Sequence, residues 1–198
     1  MKRLISVILT VFISAMATLT LASCGGSSSY GTHHVEMTIE NHGTVKIELY
    51  GDKAPITVNN FINLAKSGYY DGTKIIRIQP GFVVQGGRGA GTASIKGEFS
   101  SNGVDTGLKH ERGTLSMARS TSPDSASDQF FICLDSDTAS QLDGNYAAFG
   151  KITDGMDIID SMASGLTVND VTNDYYGLVM GFLKESSYIT ITSARVID

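Results

Sequence analysis

Side chains able to do chemistry concentrate in three segments of this 198-residue chain. The first runs Ile75-Ile76-Arg77-Ile78-Gln79-Pro80-Gly81-Phe82-Val83-Val84-Gln85-Gly86-Gly87. The second spans Gly113 to Leu134: Gly113-Thr114-Leu115-Ser116-Met117-Ala118-Arg119, an eight-residue loop, then Asp128-Gln129-Phe130-Phe131-Ile132. The third is Leu142-Asp143-Gly144-Asn145-Tyr146-Ala147-Ala148-Phe149-Gly150. Taken singly, each piece is ordinary. An arginine on a strand is commonly a solvated charge, and a methionine at a strand end commonly packs. Phe130 and Phe131 point to opposite faces of a strand, so one of them belongs to a core.

Other chemistries find weaker support. Gly86-Gly87-Arg88-Gly89-Ala90-Gly91-Thr92 has glycine spacing like a phosphate loop, but Lys is missing before Thr92 and no helical pattern follows, so it reads as a flexible loop. His33-His34 have no nearby Cys or further His to complete a zinc site, and Asp135-Ser136-Asp137 lacks the later Gly and Glu of a calcium loop. No Gly-x-Ser-x-Gly motif occurs, and no His has a Ser and an Asp close by in sequence as in a hydrolase. Cys133, inside Phe130-Phe131-Ile132-Cys133-Leu134, reads as a buried apolar residue. A formal charge of −5 argues against nucleic acid, whose phosphates attract Lys and Arg.

In order and spacing the three segments together resemble the cyclophilins, a barrel family of peptidyl-prolyl cis/trans isomerases, over essentially all of Val35 to Asp198. The resemblance implies a mainly β fold, a closed eight-stranded antiparallel barrel capped by two α-helices, with the active site on its outer wall. Carried over by motif, Arg77 and Gln85 are the catalytic pair. Phe82, Met117, Gln129, Phe131 and Leu142 line the substrate groove, and Tyr146 replaces a groove His. Ala118 and Arg119 match the position whose backbone pairs with the bound peptide. The partners so implied are proline-containing unfolded or partly folded polypeptides, bound by a monomer without cofactor or metal.

Those residue types suit that chemistry. An X–Pro bond turns over a barrier of ~18–20 kcal/mol in tens to hundreds of seconds. Rotation needs no nucleophile, metal or proton transfer. It needs an apolar grip on the proline ring and a fixed donor that favours the twisted amide, whose nitrogen regains a lone pair. Arg77 is permanently charged and its donors are rigidly arrayed. Gln85 can hold a peptide carbonyl or brace the guanidinium. A non-catalytic proline-peptide binding module, acting as a surface chaperone or adhesion protein, is the alternative. Several positions depart from the family pattern: Ile75-Ile76 and Gln79 around Arg77, Arg119 at a frequent Asn position, and Gln141 where many eukaryotic members carry Trp. The last implies weak sensitivity to the cyclic peptide cyclosporin.

Periodicity supplies the elements that must hold these residues. Val35, Met37 and Ile39 alternate with polar neighbours, Asn41-His42-Gly43 is a turn, and Val45, Ile47 and Leu49 alternate again, which predicts a hairpin with one buried face. Pro55 opens a helix in which Val58, Phe61, Ile62 and Ala65 share a face, ending at Gly68. Short strands are expected near 74–78, 82–85, 113–117, 129–134 and 147–151, a second helix over 155–162 and a last strand over 187–196. Asn169 to Lys184 is longer and more apolar than the family's connection, and reads as a core-covering flap or a partner site.

The first residues are of another kind. Lys2 and Arg3 precede an apolar run from Leu4 to Leu21, and Leu21-Ala22-Ser23-Cys24 closes it like the lipobox of bacterial lipoproteins. The organisation expected is a signal peptide over 1–23, lipidated Cys24 with a flexible tether to His34, and an isomerase domain over 35–198. Such a protein is exported and lipid-anchored to the extracytoplasmic face of a bacterial membrane. Removing the leader takes Lys2 and Arg3 with it, so the remainder is more acidic than the whole. It also leaves Cys133 without a disulfide partner within the chain.

Overall fold

The computed structural model describes residues 30–167, 169–172 and 180–198. Cys24 and the leader lie outside them, as does the 173–179 part of the long connection. The hairpin forms as its alternation requires: β1 (Thr32–Ile39) pairs antiparallel with β2 (Gly43–Tyr50) in register Ile39↔Gly43. Its turn places Asn41 and Gly43 at φ 61° and 122°, a region that Asn and Gly enter most cheaply. β1 starts earlier than expected. His33 and His34, read as tether, are strand residues tied to the C-terminus: His33 Nδ1 lies 2.8 Å from Asp198 Oδ2, and the His34 N–H donates to Asp198 Oδ1.

Helix α1 (Pro55–Lys66) buries Val58, Phe61, Ile62 and Ala65. Ala54 before it offers no capping side chain. Glu98 does this work from a distant loop, accepting from Ile56 N–H, Thr57 N–H and Thr57 Oγ1 at 3.1, 2.8 and 2.7 Å. A carboxylate there satisfies orphan amides and meets the positive end of the helix dipole.

The strand expected over 74–78 is two: β3 (Lys74–Ile75) and β4 (Arg77–Gln79), broken at Ile76. β5 (Val83–Gly86), β6 (Thr114–Met117), β7 (Phe130–Cys133), β8 (Ala148–Asp154) and β9 (Ile189–Val196) complete a sheet of order β3-β9-β1-β2-β8-β6-β7-β5-β4. Among the described residues there are thus nine strands rather than eight. The edge strands β3 and β4 are neighbours in the chain, so the break at Ile76 marks the seam of a nearly closed antiparallel barrel. Across it Ile76 N–H donates to Gln85 O and Lys74 pairs with Arg88, so the glycine loop is held at its start.

Among the described residues three α-helices are present where two were expected. The addition is the single turn α2 (Ser136–Ala139), capped by Asp135, whose carboxylate accepts from Thr138 N–H at 3.0 Å. Asp135 therefore starts a helix. α3 (Met156–Ser164) buries Ile159 and Met162. The interior is one apolar cluster. Phe61 sits at its centre, with ring centroids 4.9, 5.6 and 5.4 Å from Tyr70, Phe130 and Phe149.

Candidate active site

The site lies outside the barrel, where β4, β5 and β7 turn alternate side chains away from the interior. Arg77 stands opposite Gln85 in the β4–β5 register, and Gln85 stands opposite Phe131 in the β5–β7 register. A row Arg77–Gln85–Phe131 therefore crosses three strands on one face. Phe131 joins Val83, Cys133, Ala139 and Leu142 in a second, smaller apolar cluster, with Phe82, Ala118 and Tyr146 packed at its edge. A cavity of about 380 Å³ opens over this cluster, lined by Arg77, Phe82, Gln85, Phe131, Leu142 and Tyr146 among others. Its size suits a small apolar ring.

Arg77 is fixed by several neighbours. Its Nε donates to the Met180 carbonyl at 2.7 Å, and Nη2 donates to Gln79 Oε1. Gln79, one of the departures around the arginine, is thus a brace for it. Gln85 Nε2 donates to Gln129 Oε1 at 3.1 Å. Gln129 faces an adjoining cavity of about 300 Å³, which it shares with Gln85, Ala118, Arg119 and three serines. Ala118 N–H bonds back to Gln129 O, while Arg119 lines both cavities. The Arg119 guanidinium stacks over Tyr146 at 4.7 Å and Phe99 at 5.2 Å and donates to Asn145 O. Its side chain, and not its backbone alone, shapes the groove.

Met117 is the exception. It is 1% exposed and belongs to the interior cluster with Leu115. The period of two along β6 explains this: Leu115 and Met117 face inward, and Ser116 between them faces out. Met117 therefore supports the groove from beneath and does not line the cavity.

The sequence reading missed a chain of polar groups behind the pocket, with His110 and Ser116 buried and Asp143 half-buried. His110 Nδ1 lies 2.9 Å from Asp143 Oδ1, and Nε2 lies 2.9 Å from Ser116 Oγ. These residues are scattered in sequence, and folding brings a Ser, a His and an Asp together after all. Ser116 is fully buried, so its hydroxyl does not meet a substrate. The imidazole stacks on Phe131 with centroids 6.1 Å apart and planes 17° from parallel. Phe131 in turn meets Tyr146 edge-on at 5.7 Å. Burial pushes the His110 pKa down, against the pull of Asp143. The same segment explains Cys133, which is free, buried and pushed up to about 12 by burial, with the Asp143 charge second.

Comparison with known proteins agrees with this geometry. Residues 34–179 match the family model of the cyclophilin type peptidyl-prolyl cis-trans isomerases. A peptidyl-prolyl cis-trans isomerase of Acinetobacter baylyi is 43% identical over 168 residues, covering 80% of this chain and 84% of its own length. Peptidyl-prolyl cis-trans isomerase A of Dickeya dadantii is 37% identical, covering 99% of this chain and 98% of its own. A cyclophilin-type isomerase of Cryptosporidium parvum, crystallised in the presence of the dipeptide Ala-Pro, superposes with a TM-score of 0.66. It is 27% identical and covers 83% of this chain and 99% of its own. A barrel carrying Arg77, Gln85, Phe82, Phe131 and Leu142 on its outer wall, together with relatives of this likeness, places the chain among the cyclophilin-type peptidyl-prolyl cis-trans isomerases.

Proposed function

We propose that Arg77 drives the isomerisation, and that the protein serves proline-containing polypeptides folding outside the cytoplasm. The observation that carries the mechanism is a guanidinium held by Gln79 and Met180 at the rim of an apolar cavity. The cavity formed by Phe82, Phe131 and Leu142 grips the proline ring, and the Cryptosporidium relative crystallised in the presence of Ala-Pro supports a proline-containing ligand. Gln85 and the backbone near Ala118 and Arg119 hold the peptide on the side preceding the proline. As the amide twists, conjugation is lost and its nitrogen gains lone-pair character. A donor already in place there stabilises the twisted form more than either planar form, which is what lowers a barrier. Each ~1.4 kcal/mol gained is tenfold in rate.

Cis-to-trans rates on an Ala-Pro peptide test this. Arg77→Ala is expected to lose about a hundredfold of the acceleration, the usual scale for removing one preorganised donor. A wild-type-like rate in Arg77→Ala would overturn the arginine mechanism, and binding without acceleration by the wild type would leave a binding module. The location rests on the basic start, apolar run and Leu-Ala-Ser-Cys24 of the leader. Mass spectrometry of the mature N-terminus should find a diacylglyceryl-modified Cys24. An unprocessed Met1 would reject the lipid anchor. A monomer is expected in detergent by sedimentation.

A further inference from the structure

Residues Met180 to Leu183 lie along the open edge of β4. Ile78 N–H donates to Gly181 O at 2.7 Å, Leu183 N–H donates to Ile76 O at 2.8 Å, and Phe182 is the bridge partner of Arg77. Two features make this pairing specific. Gly181 has φ 72°, and a Cβ there would sit 2.4 Å from Ile78 O, so the close approach requires glycine. Behind the segment, Thr172 N–H donates to Phe182 O and Lys184 N–H to Asp170 O. Leu183 turns into the core, whereas Phe182 stays 36% exposed and lines the cavity.

The Phe182 ring lies 5.4 Å from the Arg77 guanidinium carbon, and the Phe82 ring lies 5.8 Å from it. Both distances are within reach of attraction between a cation and an aromatic face. The Met180 carbonyl, two residues before Phe182, accepts from Arg77 Nε.

We propose that Phe182 is a positioning residue, which with Phe82 clamps the Arg77 guanidinium in the orientation that meets the twisting amide. It touches the arginine, and its effect on rate passes through the arginine. The inference rests on the Arg77 mechanism proposed above and adds to it a second ring from a remote segment. A long arginine side chain loses rotamer freedom when its plane is fixed, and that loss is met by the fold before substrate arrives.

Steady-state rates on an Ala-Pro peptide, with kcat and KM separated, test the clamp in wild type, Phe182→Ala, Phe182→Leu and Phe182→Tyr. Phe182→Ala should lower kcat about tenfold and change KM less than twofold. Phe182→Leu keeps an apolar body without a ring face, so it should fold yet lose as much, while Phe182→Tyr should restore the rate. In an Arg77→Ala background, Phe182→Ala should cost nothing further. An unchanged kcat in both Phe182→Ala and Phe182→Leu, a loss confined to KM, or an equal loss in the Arg77→Ala background would each overturn the proposal. The Arg77 Nε–H resonance gives a readout independent of activity. It should be protected from solvent exchange in the wild type and lose that protection in Phe182→Leu. If Arg77→Ala alone left kcat unchanged, the arginine mechanism would fail. The resonance would then decide the clamp by itself, with equal protection in wild type and Phe182→Leu overturning it.

Discussion

Strands β5 and β7 each feed two apolar clusters, one inside the barrel and one outside. Val84, Phe130 and Ile132 point inward to a cluster that includes α1, α3 and most of the strands. Val83, Phe131 and Cys133 point outward to a cluster of five buried residues, with Phe82, Ala118 and Tyr146 at its rim. Chemically the two sets are alike, and they alternate along the same backbone. What separates them is what covers them: the interior is closed by the barrel, while the outer cluster is left with one face open for a ligand. A binding surface can thus be built on a strand whose stability comes from its other face.

The sharpest way to break that comparison is to remove the two adjacent phenylalanines separately. Phe130 is 2% exposed and packs against Phe61 and Tyr70. Phe130→Ala should cost about 3–5 kcal/mol in urea unfolding, the scale of an aromatic cavity that the surrounding barrel does not collapse to fill. Phe131→Ala should cost about 2 kcal/mol, yet lower kcat/KM on an Ala-Pro peptide by about ten- to a hundredfold. Equal destabilisation by the two would show that the outer cluster is part of the core.

His110 backs the outer region, where it is buried and stacks on the outward Phe131. Losing the imidazole leaves Ser116 Oγ without its 2.9 Å partner, at a cost of about 1–3 kcal/mol. The pH dependence is more informative. Burial holds the His110 pKa below its ordinary value, with Lys109 helping and Asp143 opposing. The unfolded chain takes up that proton near pH 6.5, whereas the folded protein resists it until lower pH. Folding stability from this group is therefore complete above about pH 6.5 and falls as pH drops toward the depressed folded value. Urea midpoints of wild type and His110→Asn should converge between pH 7 and 5. Parallel curves would mean that the imidazole is not held neutral by the fold. The lowered pKa of Asp143 acts in a separate window, its contribution being lost only as pH falls below the ordinary carboxylate range.

How much of this was legible in the sequence follows from the range over which each signal acts. The β1–β2 hairpin and α1 were readable because alternation, helical spacing, Asn41-His42-Gly43 and Pro55 are all local. The opposed faces of Phe130 and Phe131 were readable for the same reason. The inward turn of Met117 was equally local, since it shares parity with Leu115, but family spacing pointed the other way. Glu98 capping α1, the His110–Asp143–Ser116 chain and Phe182 on Arg77 join residues far apart in sequence, and no periodicity connects them. Those contacts arise when the barrel closes. The break at Ile76 belongs with them, because a seam exists only once both sheet edges meet.

Cys133 offers the gentlest test, since it belongs to the outer cluster yet is fully covered. If that cluster is solid beneath its open face, the thiol should behave as a core atom. Burial raises its pKa to about 12, so at pH 8.5 the folded protein holds it as the unreactive thiol, whereas the unfolded chain would be about half thiolate. Because the folded value is raised, the contribution to stability is complete below about pH 8.5 and is lost as pH climbs from there toward 12. Iodoacetamide at pH 8.5 should leave the peptide containing Cys133 unmodified for hours, and guanidinium should make labelling rapid. Phe131→Ala should speed native labelling more than Phe130→Ala does at matched stability, because it opens the covering layer directly. The opposite ranking would place the protecting contacts inside the barrel and dissolve the distinction between the two clusters at this residue.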